Sequence, residues 1–389
     1  MALSSGAKIL TIDDEYVLRQ SIVAYLEDSG FTVFESDNGV SGLEVFYKEK
    51  PDLVLTDLQM PNLGGLDVLA EITEKSPSTP VIVISGAGGM DDVIEALRLG
   101  AWDYLTKPIT DLAVLEHAIC KAIERGKLIE ENKTYAAKLE HNLQILEEDQ
   151  AAGRSVQMKL LPDNDIKFGN YTFSHSVTPS LYLSGDFVEY FKISETKIGL
   201  YLADVSGHGA SSAFVTVLLK SLVAQCNARY QVHGDKTIFL PEHTMEELNY
   251  EIHSAKLGKY MTMIYGIIDI ETNKFSYGVG GHYPNPILVG ADGKAYYLEG
   301  SGFPVGIMAD VKYQSHTIEI PKNSKLIMFS DGIMEVFMPD KDMAEKEKGL
   351  LKLTENISAD IPTIKEAVGI AGDLKEQPDD ITMLSMSRD

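Results

Sequence analysis

The sequence predicts a composite fold: a doubly wound, five-stranded parallel α/β unit, one long helix, and an α+β unit whose strands pack as two sheets. Three observations carry this expectation. Up to Leu115, five short apolar runs alternate with segments of helical spacing. From Glu116 to Leu160 the chain has no proline, and its only glycines are Gly126 and Gly153. From Leu161 onward, β-rich runs are punctuated by Gly-rich turns. The domains expected are therefore 1–115, 116–160 and 161–389.

In the first domain Lys8 to Ile12, Thr32 to Glu35, Leu53 to Thr56, Val81 to Ser85 and Trp102 to Thr106 read as strands. Tyr16 to Ser29, Gly39 to Lys48, Gly64 to Lys75 and Asp91 to Leu99 read as the helices between them. Strands that alternate with helices form a parallel sheet covered on both faces. In the middle domain Leu115, Ile119, Ala122, Gly126 and Ile129 recur at four- and three-residue steps, and after a phase shift near Ala136 the pattern resumes at Leu139, Leu143 and Leu146. Such a helix spans about 65 Å at 1.5 Å per residue. Two readings fit it: a coiled-coil seam joining two copies into a homodimer, and a solvated single helix, which Lys133 and the phase shift allow. In the third domain Ile198 to Ala203, Met263 to Asp269, Phe275 to Val279, Lys325 to Phe329 and Ile381 to Met386 read as strands, and Ala210 to Gln225 as a helix.

Composition limits the function classes. With 389 residues, 44% of them hydrophobic and 24% charged, wholesale disorder is excluded. Lys plus Arg number 34 against 58 Asp plus Glu, a net charge of −24 that repels phosphate backbones and anionic lipid alike. Nucleic acid and membrane surfaces are thus not expected partners. Cys120 and Cys226 are too few for a disulfide framework and lack metal-ligand spacing, as in a reducing cytosol. No apolar run reaches the roughly 18 residues of a membrane span, and Met1 to Gly6 does not read as a signal peptide. A cytoplasmic location is expected.

Chemistry-bearing residues gather at strand ends in the first domain. Asp13 and Asp14 close the first strand, Asp57 the third, Ser85 the fourth, and Lys107 the fifth before Pro108. Ligands of open parallel sheets collect at the carboxyl ends of strands. Three unpaired carboxylates repel one another unless a divalent cation neutralises them, and Mg²⁺ takes oxygen ligands. A hydroxyl and an ammonium at the same rim suit the oxygens of a phosphoryl group. The ordered set, with "IDDE", "LTDLQMP", "VISG" and "YLTKP", resembles the receiver domain of two-component response regulators over about 120 residues. The resemblance implies Asp57 as phospho-acceptor, Asp13 and Asp14 with Asp57 as the Mg²⁺ site, Ser85 and Lys107 as phosphoryl contacts, and Tyr104 as a switch aromatic. It also implies a sensor histidine kinase or other phosphodonor as partner.

Four aspartate motifs mark the third domain: Ser184-Gly185-Asp186-Phe187, Ala203-Asp204-Val205-Ser206-Gly207-His208-Gly209, Ser330-Asp331-Gly332, and Pro378-Asp379-Asp380-Ile381-Thr382. Glycine beside an aspartate lets the backbone approach a ligand closely. Asp204, Asp331 and Asp379 sit at strand ends, from which they can project into one cleft. Oxygen-only ligation selects Mg²⁺ or Mn²⁺ over zinc. Two such ions about 3.5 to 4 Å apart acidify a water and clamp a phosphoryl oxygen, which is the chemistry of phosphate-ester hydrolysis.

With "RSVQMKLLP", "YMTMIYGIIDIETNKFSYGVGGHYPNPIL" and "GFPVGIM", these motifs resemble the metal-dependent, protein phosphatase 2C-like serine/threonine phosphatases of the bacterial sporulation and stress-response branch, over roughly residues 150 to 389. The resemblance implies an αββα sandwich and two Mn²⁺ or Mg²⁺ ions. It implies Asp186, Asp204, Asp331 and Asp379 as ligands, the Val205 carbonyl completing the site, and Asp380 as a further ligand nearby. His208 reads either as a general acid or as a brace for its loop, and His282 as a structural turn residue. The family's first motif usually reads Gly-Gly-Asp, an aromatic, then Tyr-Asp. Here Ser184 and Val188 depart from it while Asp186 remains.

Together the two resemblances imply a response regulator whose phosphorylation controls a serine/threonine phosphatase. Relatives of this branch act on a phosphorylated anti-sigma-factor antagonist in partner switching that controls a sigma factor. The competing expectation is a non-enzymatic adaptor that binds the stationary-phase sigma factor and hands it to an ATP-dependent protease. Degenerate phosphatase domains of that kind lose metal aspartates, whereas all four stand here.

Overall fold

The chain folds as two compact units, Met1–Gln144 and Ile145–Asp389. The computed structural model describes residues 6–86, 90–356, 360–370 and 377–389, so the reading of Met1 to Gly6 lies, Gly6 apart, outside the described residues. In the first unit β1 (Lys8–Ile12), α1 (Tyr16–Asp28), β2 (Thr32–Ser36), α2 (Gly39–Glu49), β3 (Leu53–Asp57), α3 (Gly65–Lys75), β4 (Val81–Ser85), α4 (Met90–Arg98) and β5 (Asp103–Thr106) alternate, and α5 (Leu112–Leu160) follows. The strands pair in parallel in the order β2-β1-β3-β4-β5. Because side chains alternate along a strand, Ile9, Leu53, Leu55, Ile82 and Ile84 pack on one face with Ile22, Leu26, Leu115 and Ile119. On the other face Leu10, Ile12, Val54, Val81 and Val83 pack with Phe46, Val68, Leu69 and Ala96. The sheet is buried on both sides, as a doubly wound fold requires.

The helix α5 runs 49 residues without a break. Its first turns are core: Leu115, Ala118, Ile119, Ala122 and Ile123 are all buried in the first unit. The four- and three-residue steps at Leu115, Ile119 and Ala122 therefore have their explanation within one copy of the chain. The later positions differ. Leu139, Leu143 and Leu146 are exposed, so the second half of the pattern has no covering surface within the described residues. The residues expected to begin a separate linker at Glu116 continue the helix that closes the first unit, and the expected end at Leu160 is the helix's last residue.

The second unit contains β6 (Ile166–Phe168), β7 (Tyr171–Thr178), β8 (Asp186–Lys192), β9 (Lys197–Val205), α6 (Ala210–His233), α7 (Pro241–Ser254), β10 (Met261–Asp269), β11 (Lys274–Gly280), β12 (Ile287–Val289), β13 (Ala295–Tyr297), β14 (Ser315–Glu319), β15 (Ser324–Phe329), α8 (Gly332–Val336), α9 (Met343–Asn356), α10 (Ile361–Ala367) and β16 (Ile381–Arg388). They form two antiparallel sheets, β14-β11-β10-β9-β8 and β13-β12-β15-β16-β7-β6. Facing side chains such as Val188, Leu200, Leu202 and Ile264 from one sheet meet Phe173, Met328, Leu384 and Met386 from the other. The outer face of the first sheet carries Phe187, Ala203, Val205 and Met263 against Leu219 and Val223 of α6 and Met245 and Leu248 of α7. Ile327, Phe329, Ile381 and Met383 on the outer face of the second pack on Ile333, Leu350 and Ile364 of α8, α9 and α10. This is the αββα sandwich. Among the described residues, no helix is long and apolar enough to cross a membrane.

Candidate functional site

At the carboxyl edge of the first sheet, Asp13, Asp14 and Asp57 present oxygens that all lie within 4.8 Å of one another. Asp13 and Asp57 are buried and Asp14 is exposed. Lys107 reaches them from the end of β5: its Nζ lies 2.6 Å from Asp57 Oδ2 and 3.0 Å from Asp13 Oδ2. The same ammonium pairs with Glu15 Oε1 at 2.9 Å, a contact the sequence reading missed although Glu15 directly follows the acidic pair. Burial opposes the Lys107 charge, but hydrogen bonds to Asp57, Glu15 and Asp13 outweigh it and hold its pKa above the ordinary lysine value. Burial pushes the Asp13 carboxyl up, with the Lys107 hydrogen bond pulling the other way. The buried Ser85 ends β4 beside Gly86, and Tyr104 stays partly exposed on β5. The structure thus brings Asp13, Asp14, Asp57 and Lys107 into one pocket, with Ser85 on the neighbouring strand end.

The second site forms where the two sheets of the sandwich meet. Asp186 opens β8 and Asp204 lies near the end of β9, directly opposite it in the antiparallel register. Such opposed residues share a face, and because Phe187, Ala203 and Val205 point outward, both aspartates point toward the other sheet. Asp331 follows β15 and leads into α8, while Asp379 and Asp380 precede β16. The electrostatics link the five, although among the described residues only Asp13, Asp14 and Asp57 bring three oxygens within 4.8 Å of one another. Burial, then repulsion from Asp331, Asp379 and Asp380, pushes the Asp204 carboxyl up to about 8. Burial, then Asp204 and Asp380, raises Asp186 well above the ordinary range, and burial with Asp379 and Glu335 raises Asp331.

Asp186 is the most informative of these groups. It is 1% exposed, and neither of its carboxylate oxygens has a partner at full hydrogen-bond geometry, the nearby Ser330 and Thr382 hydroxyls offsetting burial and the neighbouring carboxylates only in part. Buried carboxylate oxygens without full partners are costly unless a cation meets them, so the donor set fits a divalent metal. Its approach is kept open by glycine: a Cβ on Gly185 would lie 2.9 Å from Val205 O and 3.1 Å from Gly207 O. A Cβ on Gly332 would lie 2.1 Å from the Asp380 carbonyl. Both loops pack too closely for any side chain.

Asp380 does something different from its neighbour. Its Oδ1 accepts from Ser180 N at 2.6 Å and Ser180 Oγ at 2.9 Å, and its Oδ2 accepts from Gly185 N at 2.6 Å. Both oxygens are spent on the loop before Asp186. His282 is buried and bridges the sheets: Nε2–H donates to Phe329 O at 2.8 Å, leaving Nδ1 to accept from the hydroxyl of Thr262 at 3.1 Å. Thr262 is the cross-strand partner of Asp204. Burial brings the His282 pKa down to about 4, so the ring is neutral. His208 is exposed on its loop. That loop is held instead by Ser212 Oγ, which donates to Gly207 O at 2.9 Å, and by Lys259 Nζ, which donates to Ser206 O at 2.7 Å. Lys259 had no sequence signal beyond an ordinary polar residue, whereas the buried Gln157, which bonds the Ser184 backbone, lies in the stretch "RSVQMKLLP" that carried the resemblance without having been singled out there.

Comparison with known proteins agrees with this geometry. Residues 194–389 match the family model described as Stage II sporulation protein E (SpoIIE), and residues 9–119 match the response regulator receiver domain. The chain is 26% identical over 266 residues to the protein named Regulator of RpoS in Escherichia coli (strain K12), which covers 67% of this chain and 77% of that protein. It is 38% identical over 110 residues to chemotaxis protein CheY of Listeria monocytogenes, 28% of this chain and 92% of that one. Among solved structures, the SiaA-PP2C domain of Pseudomonas aeruginosa superposes with a TM-score of 0.52 at 17% identity, covering 64% of this chain and 99% of that one. That last likeness concerns the fold alone.

Proposed function

The chain belongs to the stage II sporulation protein E family, with a receiver domain ahead of the family's domain, and from that premise we propose that it is a response regulator whose phosphorylation controls a metal-dependent protein serine/threonine phosphatase. The observation that carries the reading is the Asp186 carboxylate, buried, without a partner at full hydrogen-bond geometry, and opposed to Asp204. Asp186, Asp204, Asp331 and Asp379 would hold two Mn²⁺ or Mg²⁺ ions, with the Val205 carbonyl beside them. Divalent cations there would supply Lewis acidity toward a phosphoryl group and a more acidic water. The protein's own part is positioning. Asp380 fixes the loop of Asp186, Ser212 and Lys259 fix the loop of Asp204, and the neutral His282 ties the Asp204 side of the cleft to the strand that ends before Asp331.

In the receiver, Asp57 is the phospho-acceptor, Mg²⁺ binds Asp13, Asp14 and Asp57, and Lys107 and Ser85 hold the phosphoryl oxygens. Tyr104 is the aromatic whose position reports the phosphorylated state. A sensor histidine kinase or small-molecule phosphodonor supplies the phosphoryl group. The substrate proposed is a phosphoserine or phosphothreonine of an anti-sigma-factor antagonist, which places the protein in a sigma-factor switching or general stress pathway. The exposed Leu139, Leu143 and Leu146 support a homodimer through α5.

The likeness to Regulator of RpoS favours a second reading, an adaptor that binds a sigma factor for delivery to an ATP-dependent protease. Retention of all four aspartates supports the enzyme over it. Phosphate release from a phosphoserine peptide by the full chain with Mn²⁺ separates the two. Release that disappears in Asp331→Asn supports the phosphatase, and its absence in well-folded protein supports the adaptor.

A further inference from the structure

Among the described residues the second unit buries six tyrosines, Tyr171, Tyr190, Tyr201, Tyr265, Tyr277 and Tyr313. Five of their hydroxyls donate within the unit: Tyr171 to Asn273 Oδ1, Tyr190 to Asp163 O, Tyr265 to Ile238 O, Tyr277 to Glu299 O and Tyr313 to Asn249 Oδ1. Tyr201 differs. It is 0% exposed, and its hydroxyl has no hydrogen-bond partner. A buried hydroxyl without a partner is costly, and native folds keep few of them. The ring is held in place by stacking on Phe187, with centroids 6.3 Å apart. Burial, then Glu189 and Tyr265, raises its pKa well above the ordinary tyrosine value, so the group stays a proton donor.

Tyr201 lines a cavity of about 170 Å³ between the outer face of the first sheet and α6. Glu189 and Phe191 of β8 line it beside Tyr201, and Lys220, Val223, Ala224 and Asn227 line it from the helix. Glu189 and Tyr201 are cross-strand partners, three residues along from the Asp186 and Asp204 pair, and they face α6 where the aspartates face the other sheet. The Lys220 ammonium pairs with the Glu189 carboxylate. A cavity of roughly 150 Å³ is enough to hold a benzene ring.

The lining selects the chemistry of an occupant. Phe191, Val223 and Ala224 offer apolar walls. Lys220 and Glu189 neutralise each other, so a charged ligand would lose its hydration without gaining an unmatched counter-charge. The Tyr201 O–H lacks an acceptor, and the Glu189 carboxylate beside it accepts. A single ligand hydroxyl answers both, taking the Tyr201 proton on its oxygen and donating its own to Glu189. We propose that this cavity is a binding site for a small uncharged alcohol with an apolar body of ring size, its oxygen on Tyr201 and its body against Phe191, Val223 and Ala224. None of the five aspartates of the metal cleft lines the cavity, so the inference stands apart from the phosphatase reading.

The test is saturation-transfer NMR of cyclohexanol with the full chain, beside cyclohexanecarboxylate, which carries the same ring and a charge. Cyclohexanol is expected to bind, and the carboxylate to bind about tenfold more weakly or worse. Tyr201→Phe keeps the ring and removes the donor, and should weaken cyclohexanol binding about fivefold, the worth of one neutral hydrogen bond. Ala224→Phe, at an exposed helix position, fills the cavity and should abolish binding. Because the hydroxyl it removes has no partner, Tyr201→Phe should melt no lower than the unmodified chain. Cyclohexanol that fails to bind the unmodified chain, or binds Ala224→Phe equally, overturns the site. Equal affinity in Tyr201→Phe overturns the polar contact, and equal binding of the carboxylate overturns the uncharged class. A lower melting temperature in Tyr201→Phe would show that water already partners the hydroxyl and would overturn the argument for a ligand.

Discussion

Replacing Asp204 by Asn should make the metal-free second unit more stable than that of the unmodified chain, and Mn²⁺ should narrow the difference by stabilising the unmodified chain alone. The magnitude follows from the carboxyl's displacement from 3.8 to about 8. Because the folded pKa is raised, the stabilising contribution is complete below pH 3.8 and is lost as pH rises toward about 8. At ~1.4 kcal/mol per unit, the folded state forgoes about 4 kcal/mol near pH 7. Asn cannot ionise, so Asp204→Asn recovers up to that amount without metal, or about 8 to 16 °C in Tm for a unit of this size. With Mn²⁺ at about 100 times its Kd, the unmodified chain gains ~2.7 kcal/mol and the variant loses that gain. The sole tryptophan, Trp102, lies in the first unit, so its fluorescence does not report the relevant transition. Hydrogen exchange at the buried amides of β9 and β10 does. If Asp204→Asn is no more stable than the unmodified chain without metal, or Mn²⁺ protects both equally, the carboxylate-crowding argument fails.

The parts of this site that were legible in the sequence are those where pattern and packing coincide. The receiver strands are short apolar runs because the sheet is covered on both faces, so their bounds fall within a residue or so of the structure at Lys8–Ile12 and Val81–Ser85. The three-residue strands β6, β12 and β13 carry too few positions for any period to show. The first repeats in α5 look the same in sequence whether they face a partner helix or their own sheet, and Leu115, Ile119 and Ala122 face the sheet. Asp379 and Asp380 are adjacent carboxylates that no spacing rule separates. Only the fold turns the oxygens of Asp380 onto Ser180 and Gly185. Gln157 stands in the quoted stretch "RSVQMKLLP", but its role was not legible there, since a glutamine on a polar helix reads as solvated until a loop from 27 residues away is seen to cover it.

Further outcomes follow from the same contacts. Asp380→Ala removes three hydrogen bonds to one carboxylate and strands the buried Gly185 N–H; chemical denaturation should show the second unit destabilised by about 3 to 5 kcal/mol, and a change below ~1 kcal/mol would count against the clasp. Lys107→Ala leaves Asp13 and Asp57 without their shared cation, so Mg²⁺ should raise the receiver's Tm more than it does in the unmodified chain, while phosphodonor labelling of Asp57 falls. The double substitution Leu139→Glu, Leu146→Glu touches only exposed positions and should alter stability by less than about 0.5 kcal/mol while converting a dimer to monomers in sedimentation analysis; unchanged mass at dimer size would place the interface elsewhere.

The central claim is that phosphorylation at one carboxylate governs hydrolysis at another set of four. It is tested most directly by the rate of phosphate release from a phosphoserine protein or peptide with Mn²⁺, by the full chain with and without a phosphodonor, beside Asp57→Asn and Asp204→Asn. The account predicts a rate that changes with the donor in the unmodified chain, is indifferent to it in Asp57→Asn, and is lost in Asp204→Asn. A rate that ignores the donor in the unmodified chain, or that survives in Asp204→Asn, would contradict it.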